Sequence, residues 1–301
     1  MDSKWQVLDF TGYSGYLSYE RGRLVVGDRS VPLAEVDFIL VGQSCSWGYG
    51  LIAGLERFGV AMAVCDWRNI PISVLYHWSE NTRVFARHNA QATLSVPRAK
   101  NAWMRIVKAK VRGQANVLKI KGQVSVSQEL VSLSKAVRSG DPSNIEALAA
   151  RTYWHNFLQP GGSFSRQQSS SDFVNAMLNY GYTILRGRVI TRLVTTGLSP
   201  TLSLFHRNRS NMFALADDLI EPFRPAVDSV VLDLVNDGSV ELGKTEKKRL
   251  SGVLAEQHDE SSFTVRSLIE DFCQEFALYV EGTRENLNVP IWNGREITKD
   301  G

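Results

Sequence analysis

The period of the hydrophobic pattern changes near residue 80, and this change limits the possible folds more than any other feature. Before it lie short runs of β-branched, aromatic and alternating residues: WQVLDF, GYLSYE, RLVVGD, SVPLAEV, DFILVG and VAMAVCD, broken by Gly, Asp and Pro. That is the pattern of strands and turns. After it, apolar residues recur at helical spacing in NTRVFARHNAQATLSV, KNAWMRIVKAKVRGQANVL, IEALAARTYWHNFL, SDFVNAMLNYGYTILRGRVI and VDSVVLDLV. One helical insertion is expected in the first part, around Cys45 to Phe58, with Gly59 as its stop. Pro142, Asn144 and Ser171-Asp172 supply helix-start chemistry in the second. The reading is α+β: a small N-terminal β-rich domain, residues 1–80, followed by a larger all-α domain, residues 81–301. The boundary falls between about 78 and 90, and 301 residues suffice for two cores.

A net charge of +3 hides a strong partition. Residues 1–80 hold six Lys/Arg and nine Asp/Glu, residues 81–216 hold nineteen and four, and residues 217–301 hold nine and eighteen. The stretch 81–128 has ten basic residues and no acid. A merely solvated surface mixes signs, so this segregation reads as a track for a polyanion, most often nucleic acid. Arg98, Lys100, Arg105, Lys108, Lys110 and Arg112 cluster near Trp103 and are assigned to phosphate contact, which sets affinity and register without reading sequence. On helices they cannot all face one way.

Other classes are disfavoured. No run approaches the roughly 20 apolar residues that span a bilayer, so no membrane role is expected. The opening MDSKWQVLDF lacks the basic-then-apolar pattern of a secretory signal. Cys45, Cys65 and Cys273 are too few and scattered for a disulfide framework or a zinc site, and Cys65 reads as buried. A reducing cytoplasm is the expected location.

Chemistry concentrates in LFHRNRSNMFALADDLIEPFRP, Leu204 to Pro225, where His206, Asp217, Asp218 and Glu221 fall within sixteen residues among apolar neighbours. Carboxylates beside a core are costly unless paired, neutralised or metal-bound. On a helix the three acids would share a face. His206 lies about 16 Å from Asp217 along a continuous helix, too far to share an ion, so the chain must fold back. Asn208, Ser210 and Asn211 are suited to that turn. Pro222 disfavours helical geometry at Glu221 and predicts a break there. The other reading is a solvated acidic helix end with a hydrogen-bonded core histidine, and spacing alone does not separate the two. Arg207 and Arg209 follow His206 and are candidates to clamp a phosphate or to pair with Asp217 or Asp218.

These phrases, with IEALAARTYW from Ile145 to Trp154, resemble the CRISPR adaptation endonuclease/integrase, the universal CRISPR-associated protein one family. Glu146 precedes Arg151, Tyr153 and Trp154; His206 follows Leu204-Phe205; Asp218 and Glu221 precede Pro222-Phe223-Arg224. DFVNAMLNYGYTIL is similar to the family's Leu-Asn-Tyr-Gly-Tyr segment. That wording, and Glu at 221, look most like the branch accompanying single-effector, type II systems.

The resemblance implies Glu146, His206 and Glu221 as ligands of Mg2+ or Mn2+, with Asp218 a helper or alternate ligand and Asp217 less certain. It implies attack of the 3′-hydroxyl of captured double-stranded DNA on a phosphodiester of the repeat, a transesterification, with hydrolysis open to the same site. It implies a homodimer and a small second CRISPR adaptation protein, two dimers per complex, with the β domain expected to carry self-association. Two other functions remain: a catalytically inactive DNA-binding subunit, and a metal-dependent nuclease that degrades without joining.

Overall fold

The computed structural model describes residues 6–67, 71–75, 81–167, 170, 172–206, 208–255 and 263–294. By its internal contacts the chain divides into two compact units, Met1–Asn81 and Thr82–Gly301.

The first unit is built of two four-stranded sheets. Its strands are β1 (Gln6–Phe10), β2 (Gly15–Glu20), β3 (Arg23–Val26), β4 (Arg29–Pro32), β5 (Val36–Val41), β6 (Cys45–Trp47), β7 (Ala61–Cys65) and β8 (Pro71–Leu75), with one helix, α1 (Tyr49–Phe58). One sheet runs β1-β5-β7-β8 and the other β4-β3-β2-β6. β5 pairs in parallel with β1 and β7, and all six of its residues are buried. Apart from Asp37, which is buried with the rest, the run is apolar, as suits such a doubly flanked position. Leu17, Leu24, Ile39, Val41, Leu51, Leu55 and Met62 join strands and α1 in one core.

Gly59 ends α1 in the left-handed conformation, φ 65°, its N–H on the carbonyls of Leu55 and Glu56. Glycine takes that conformation without the Cβ penalty. The expected helix from Cys45 is shorter than its sequence pattern. Cys45–Trp47 pairs in parallel with Gly15–Leu17 instead, because a sheet edge offers hydrogen bonds that local propensity does not see.

The second unit is helical: α2 (Val84–Ala92), α3 (Val96–Ile120), α4 (Val124–Ala136), α5 (Ile145–His155), α6 (Phe173–Thr195), α7 (Ala214–Leu219), α8 (Arg224–Asn236), α9 (Lys244–Ser251) and α10 (Val265–Val280). Single 3-10 turns occupy Glu221–Phe223 and Gly252–Ala255. The sequence pattern reads 81–96 as one helix. It is cut after Ala92, and α3 restarts with Pro97 in its first turn, where the missing N–H costs nothing. Asp172 caps α6 by accepting from Asn175 N at 3.0 Å. Asn144 does not act as a side-chain cap: it lies at φ 50°, and Asp141 accepts from the N–H groups of Ile145 and Glu146, each at 2.9 Å.

α3 packs against α4, α5, α8 and the Glu221 turn, while α6 packs against α8, α9 and α10. Gly181 lets α6 approach α8 closely, since a Cβ there would run into Val227. A strap after α10 returns along α3. Asn116 donates to Trp292 O and Asn293 Oδ1, each at 2.8 Å, Trp292 lies beside Gly113, and Gly294 lies against Ile120. No helix among the described residues is long and apolar enough to cross a membrane.

Candidate active site

The site is assembled around the middle of α3. Lys110 lies seven residues from Trp103 and Val117, and three or four from Ile106, Gly113 and Gln114, all buried. A 3.6-residue period therefore carries Lys110 to the inner side of the helix. Its side chain is only 14% exposed, and its Nζ stands 2.7 Å from Glu146 Oε1 and 2.7 Å from Glu221 Oε2.

The two carboxylates arrive by different routes. Glu146 is in the first turn of α5, whose start Asp141 fixes, and keeps 21% exposure. Glu221 opens the 3-10 turn that follows α7, at the break predicted from Pro222, and is 4% exposed. Arg224 Nε lies 3.0 Å from its Oε1. Burial works against the charged form of Glu221, but Arg224, Lys110 and His206 outweigh it and hold the carboxyl below its ordinary range. Burial likewise opposes charge on Lys110, yet Glu221 and Glu146 prevail and raise it. The site thus holds two carboxyl groups, Glu146 and Glu221, bridged by the Lys110 ammonium.

His206 enters from the loop before α7, folded back as the spacing required. Asn208 makes the turn: its side-chain oxygen accepts from Ser210 N at 3.1 Å and its carbonyl from Asn211 N at 3.1 Å. Asp218, fully buried, pins the loop from α7. Its Oδ2 accepts from Leu204 N (2.6 Å) and Phe205 N (3.1 Å), and its Oδ1 from His206 N (3.3 Å). Oδ1 also lies 2.6 Å from His206 Nδ1. This bond raises the histidine above its usual range, against the opposing effect of burial. With Nδ1–H on Asp218, a neutral ring keeps its Nε2 lone pair available, the arrangement that suits a metal-binding or proton-accepting imidazole. Trp103 steadies the loop: Phe205 stacks on it with centroids 4.4 Å apart, and His206 meets it edge-on at 5.7 Å.

The three acids of Leu204–Pro225 do not share one face. α7 ends at Leu219, so Glu221 turns toward Lys110, Asp218 toward His206 and Asp217 away. Asp217 is held by Arg186 (Nε to Oδ1, 2.6 Å) and Asn211 (Nδ2 to Oδ2, 2.6 Å). The structure thus brings Glu146, Glu221, His206 and Asp218 into one neighbourhood and gives Asp217 a packing partner of its own. Among the described residues, no three His, Cys, Asp or Glu side chains form a closed metal-binding group.

The basic residues separate into three groups. Lys110 is not on the surface track; it lies inside, between the acids. Arg98 is committed to the carbonyls of Tyr279 and Arg284, and Arg105 to Asn101 and Asn286. Lys100, Arg112 and Arg209 are exposed and Lys108 is half-buried. Arg207 lies outside the described residues.

Behind the site is a second polar cluster that sequence reasoning missed. Asp228 on α8 is fully buried, and accepts from Tyr153 Oη at 2.9 Å and Tyr182 Oη at 2.5 Å. Burial raises its carboxyl to about 6, and the two hydroxyls with Arg224 and Arg166 only partly oppose this. The guanidinium groups of Arg224 and Arg166 lie over the Tyr182 ring, 4.6 and 5.4 Å from its centroid. Arg166, between α5 and α6, also donates to Asn175 and Asn179 of α6. Arg224 therefore links Glu221 to this cluster.

Comparison with known proteins identifies the family. A family model described as CRISPR associated protein Cas1 matches residues 10–264. The chain belongs to the Cas1 family. A curated relative, the CRISPR-associated endonuclease Cas1 of Neisseria meningitidis serogroup C, is 34% identical over 229 residues, covering 74% of each chain. CRISPR-associated endonuclease Cas1 2 of Pyrobaculum aerophilum is 30% identical over 253 residues, covering 79% of this Cas1-family chain and 86% of the relative. Among the solved structures that share the fold are two that the chain covers almost completely. A casposase bound to integration product has a TM-score of 0.76 at 18% identity, covering 99% and 96% of the two chains. A Cas1 protein from Thermotoga maritima has a TM-score of 0.72 at 18% identity, covering 97% and 100%.

Proposed function

We propose that this chain is a metal-dependent DNA endonuclease and integrase of CRISPR spacer acquisition. The single observation that carries the reading is the convergence of Glu146 and Glu221 on one cation, 2.7 Å from each, beside an imidazole oriented by a buried Asp218. The donor set fits a divalent ion. Two carboxylates already bracket a positive charge, and no hydrogen bond engages His206 Nε2 among the described residues. Oxygen ligands with one imidazole suit Mg2+ or Mn2+.

Glu146, Glu221 and His206 would hold the ion, which when bound supplies Lewis-acid stabilisation of phosphodiester charge. The remaining steps belong to the chain. Asp218 fixes the imidazole and with it the loop that faces the nucleic acid. Arg224 keeps Glu221 ionised. Lys100, Lys108, Arg112 and Arg209 are placed to neutralise phosphates and hold the duplex in register. The relatives named endonucleases support the cutting activity, and the casposase bound to integration product supports joining; attack of a DNA 3′-hydroxyl is the chemistry proposed for that joining. A solved Cas6-RT-Cas1–Cas2 complex shares the fold, with a TM-score of 0.75 at 16% identity. That complex supports a Cas2-type partner; two homodimers per complex, self-associating through the β-rich unit, are part of the proposal.

The test is a joining assay. A short duplex with free 3′-hydroxyls is incubated with supercoiled plasmid carrying a repeat, with and without the partner, in Mg2+ and in Mn2+. Covalent, 3′-hydroxyl-dependent joining is expected. Cleavage without joining would reduce the activity to a nuclease, and neither reaction would leave a DNA-binding subunit.

A further inference from the structure

Lys110 has no part in a metal site described by its ligands alone, yet it occupies the centre of this one. Glu146 and Glu221 come from separate elements, α5 and the turn after α7, and nothing in the backbone between them fixes their separation. Each is within hydrogen-bonding distance of the same ammonium. Two anions this close, one of them almost fully buried, repel unless a positive charge stands between them. Arg224 cannot serve, because it contacts only the Glu221 oxygen that faces away from Lys110. The ammonium and a divalent ion would contact the same two oxygens, so they cannot both occupy the space between them.

We propose that Lys110 is a positioning residue that competes with the divalent ion: it gathers the two carboxylates in the metal-free protein and is displaced from between them when the ion binds. This rests on the metal-dependent reading given above. Metal affinity then includes the work of breaking both lysine contacts, so the ion is held less tightly than two bare carboxylates and an imidazole would hold it. The displaced ammonium stays tethered to α3 beside the ion, where a phosphate oxygen is its natural partner. Lys108 and Arg112, on the outer side of the helix, have no such access.

Two measurements on the full-length protein test the exchange. The first uses the wild type. Accessible amines are acetylated briefly with and without Mn2+, and labelling is quantified by peptide mass spectrometry with exposed Lys100 as the internal reference. Lys110 labelling should rise several-fold with Mn2+ while Lys100 stays constant. The second is Mn2+ titration calorimetry on wild type, K110M and K110R. Removing the competitor in K110M should lower the Mn2+ Kd about tenfold, whereas K110R, which keeps a cation between the acids, should bind no more tightly than wild type. A purely structural lysine would lower thermal stability in K110M and leave the Mn2+ Kd unchanged or raised.

Unchanged Lys110 labelling together with an unchanged K110M Kd, in a protein whose Mn2+ binding is lost in E146Q and E221Q, would overturn the exchange and leave the metal site standing. Should K110M fail to fold, the wild-type labelling result alone decides. Wild type that binds no Mn2+ would overturn both the exchange and the metal-dependent reading.

Discussion

Replacing Asp228 with Asn should remove the part of the stability that is lost as pH rises. Asp228 is fully buried between two tyrosine hydroxyls, and its carboxyl is raised from 3.8 to about 6. A raised carboxyl means that the fold prefers the protonated form. Its contribution is fully present below the unfolded value and is lost as pH climbs through the folded one. That displacement corresponds to about 3 kcal/mol, withdrawn between about pH 4 and about pH 7. Glu221 works in the opposite sense, because its carboxyl is held low and its contribution is lost as pH falls. Wild type alone therefore shows a mixture, and the comparison with D228N isolates the part due to Asp228. Urea titrations of both proteins, followed by far-ultraviolet circular dichroism across that range, give the difference in unfolding free energy at each pH. D228N should gain on wild type by about 3 kcal/mol from the acid to the neutral end. Parallel curves, or a gain in the opposite direction, would refute the assignment of a protonatable buried carboxyl.

Three further outcomes follow from the site. E146Q, H206A and E221Q should each abolish cutting and joining while duplex affinity, measured by fluorescence anisotropy, stays within a few-fold, because phosphate contacts elsewhere set affinity. D218N should weaken Mn2+ binding by about 10- to 100-fold, since it removes the negative charge beside His206 and replaces one of the two acceptor oxygens that hold the ring and its loop with a donor; D217N should have the smaller effect on calorimetric titration, as Asp217 faces Arg186. Charge reversal at Lys100, Arg112 and Arg209 should weaken binding to every duplex alike. It should also flatten the salt dependence by about 0.9 in log–log slope for each phosphate that is no longer neutralised, with salt titrations of anisotropy as the readout.

The division into a strand-rich start and a helical remainder was open to sequence reasoning because the hydrophobic period itself changes. Gly59, Pro222 and Asp172 act locally, so their effects on helix ends could be read from a few neighbouring residues. Most of what escaped depended on partners distant in the chain: Cys45–Trp47 is a strand because β2 offers an edge. Asn144 yields its capping role to a near neighbour, Asp141, because its own backbone is left-handed. Lys110 looked like one more base in a basic stripe, although its seven-residue offset from Trp103 and Val117 was a signal that it points inward. Asp228 gave no such signal: its importance comes from Tyr153 and Tyr182, on two other helices, meeting it in the core. The expected common face of Asp217, Asp218 and Glu221 assumed a helix that ends too early to supply it.

The strap over α3 has a consequence for how the protein is made. Trp292, Asn293 and Gly294 complete the surroundings of the helix that carries Lys110, at Gly113, Asn116 and Ile120. During vectorial synthesis α3 leaves the ribosome early and waits for a cover nearly two hundred residues downstream. α4, α5, α8 and the Glu221 turn, which also pack on α3, are made in the interval, so the helix is already partly covered when its last neighbour arrives. A chain terminated before Trp292 would keep those neighbours and lack only the strap contacts at Gly113, Asn116 and Ile120.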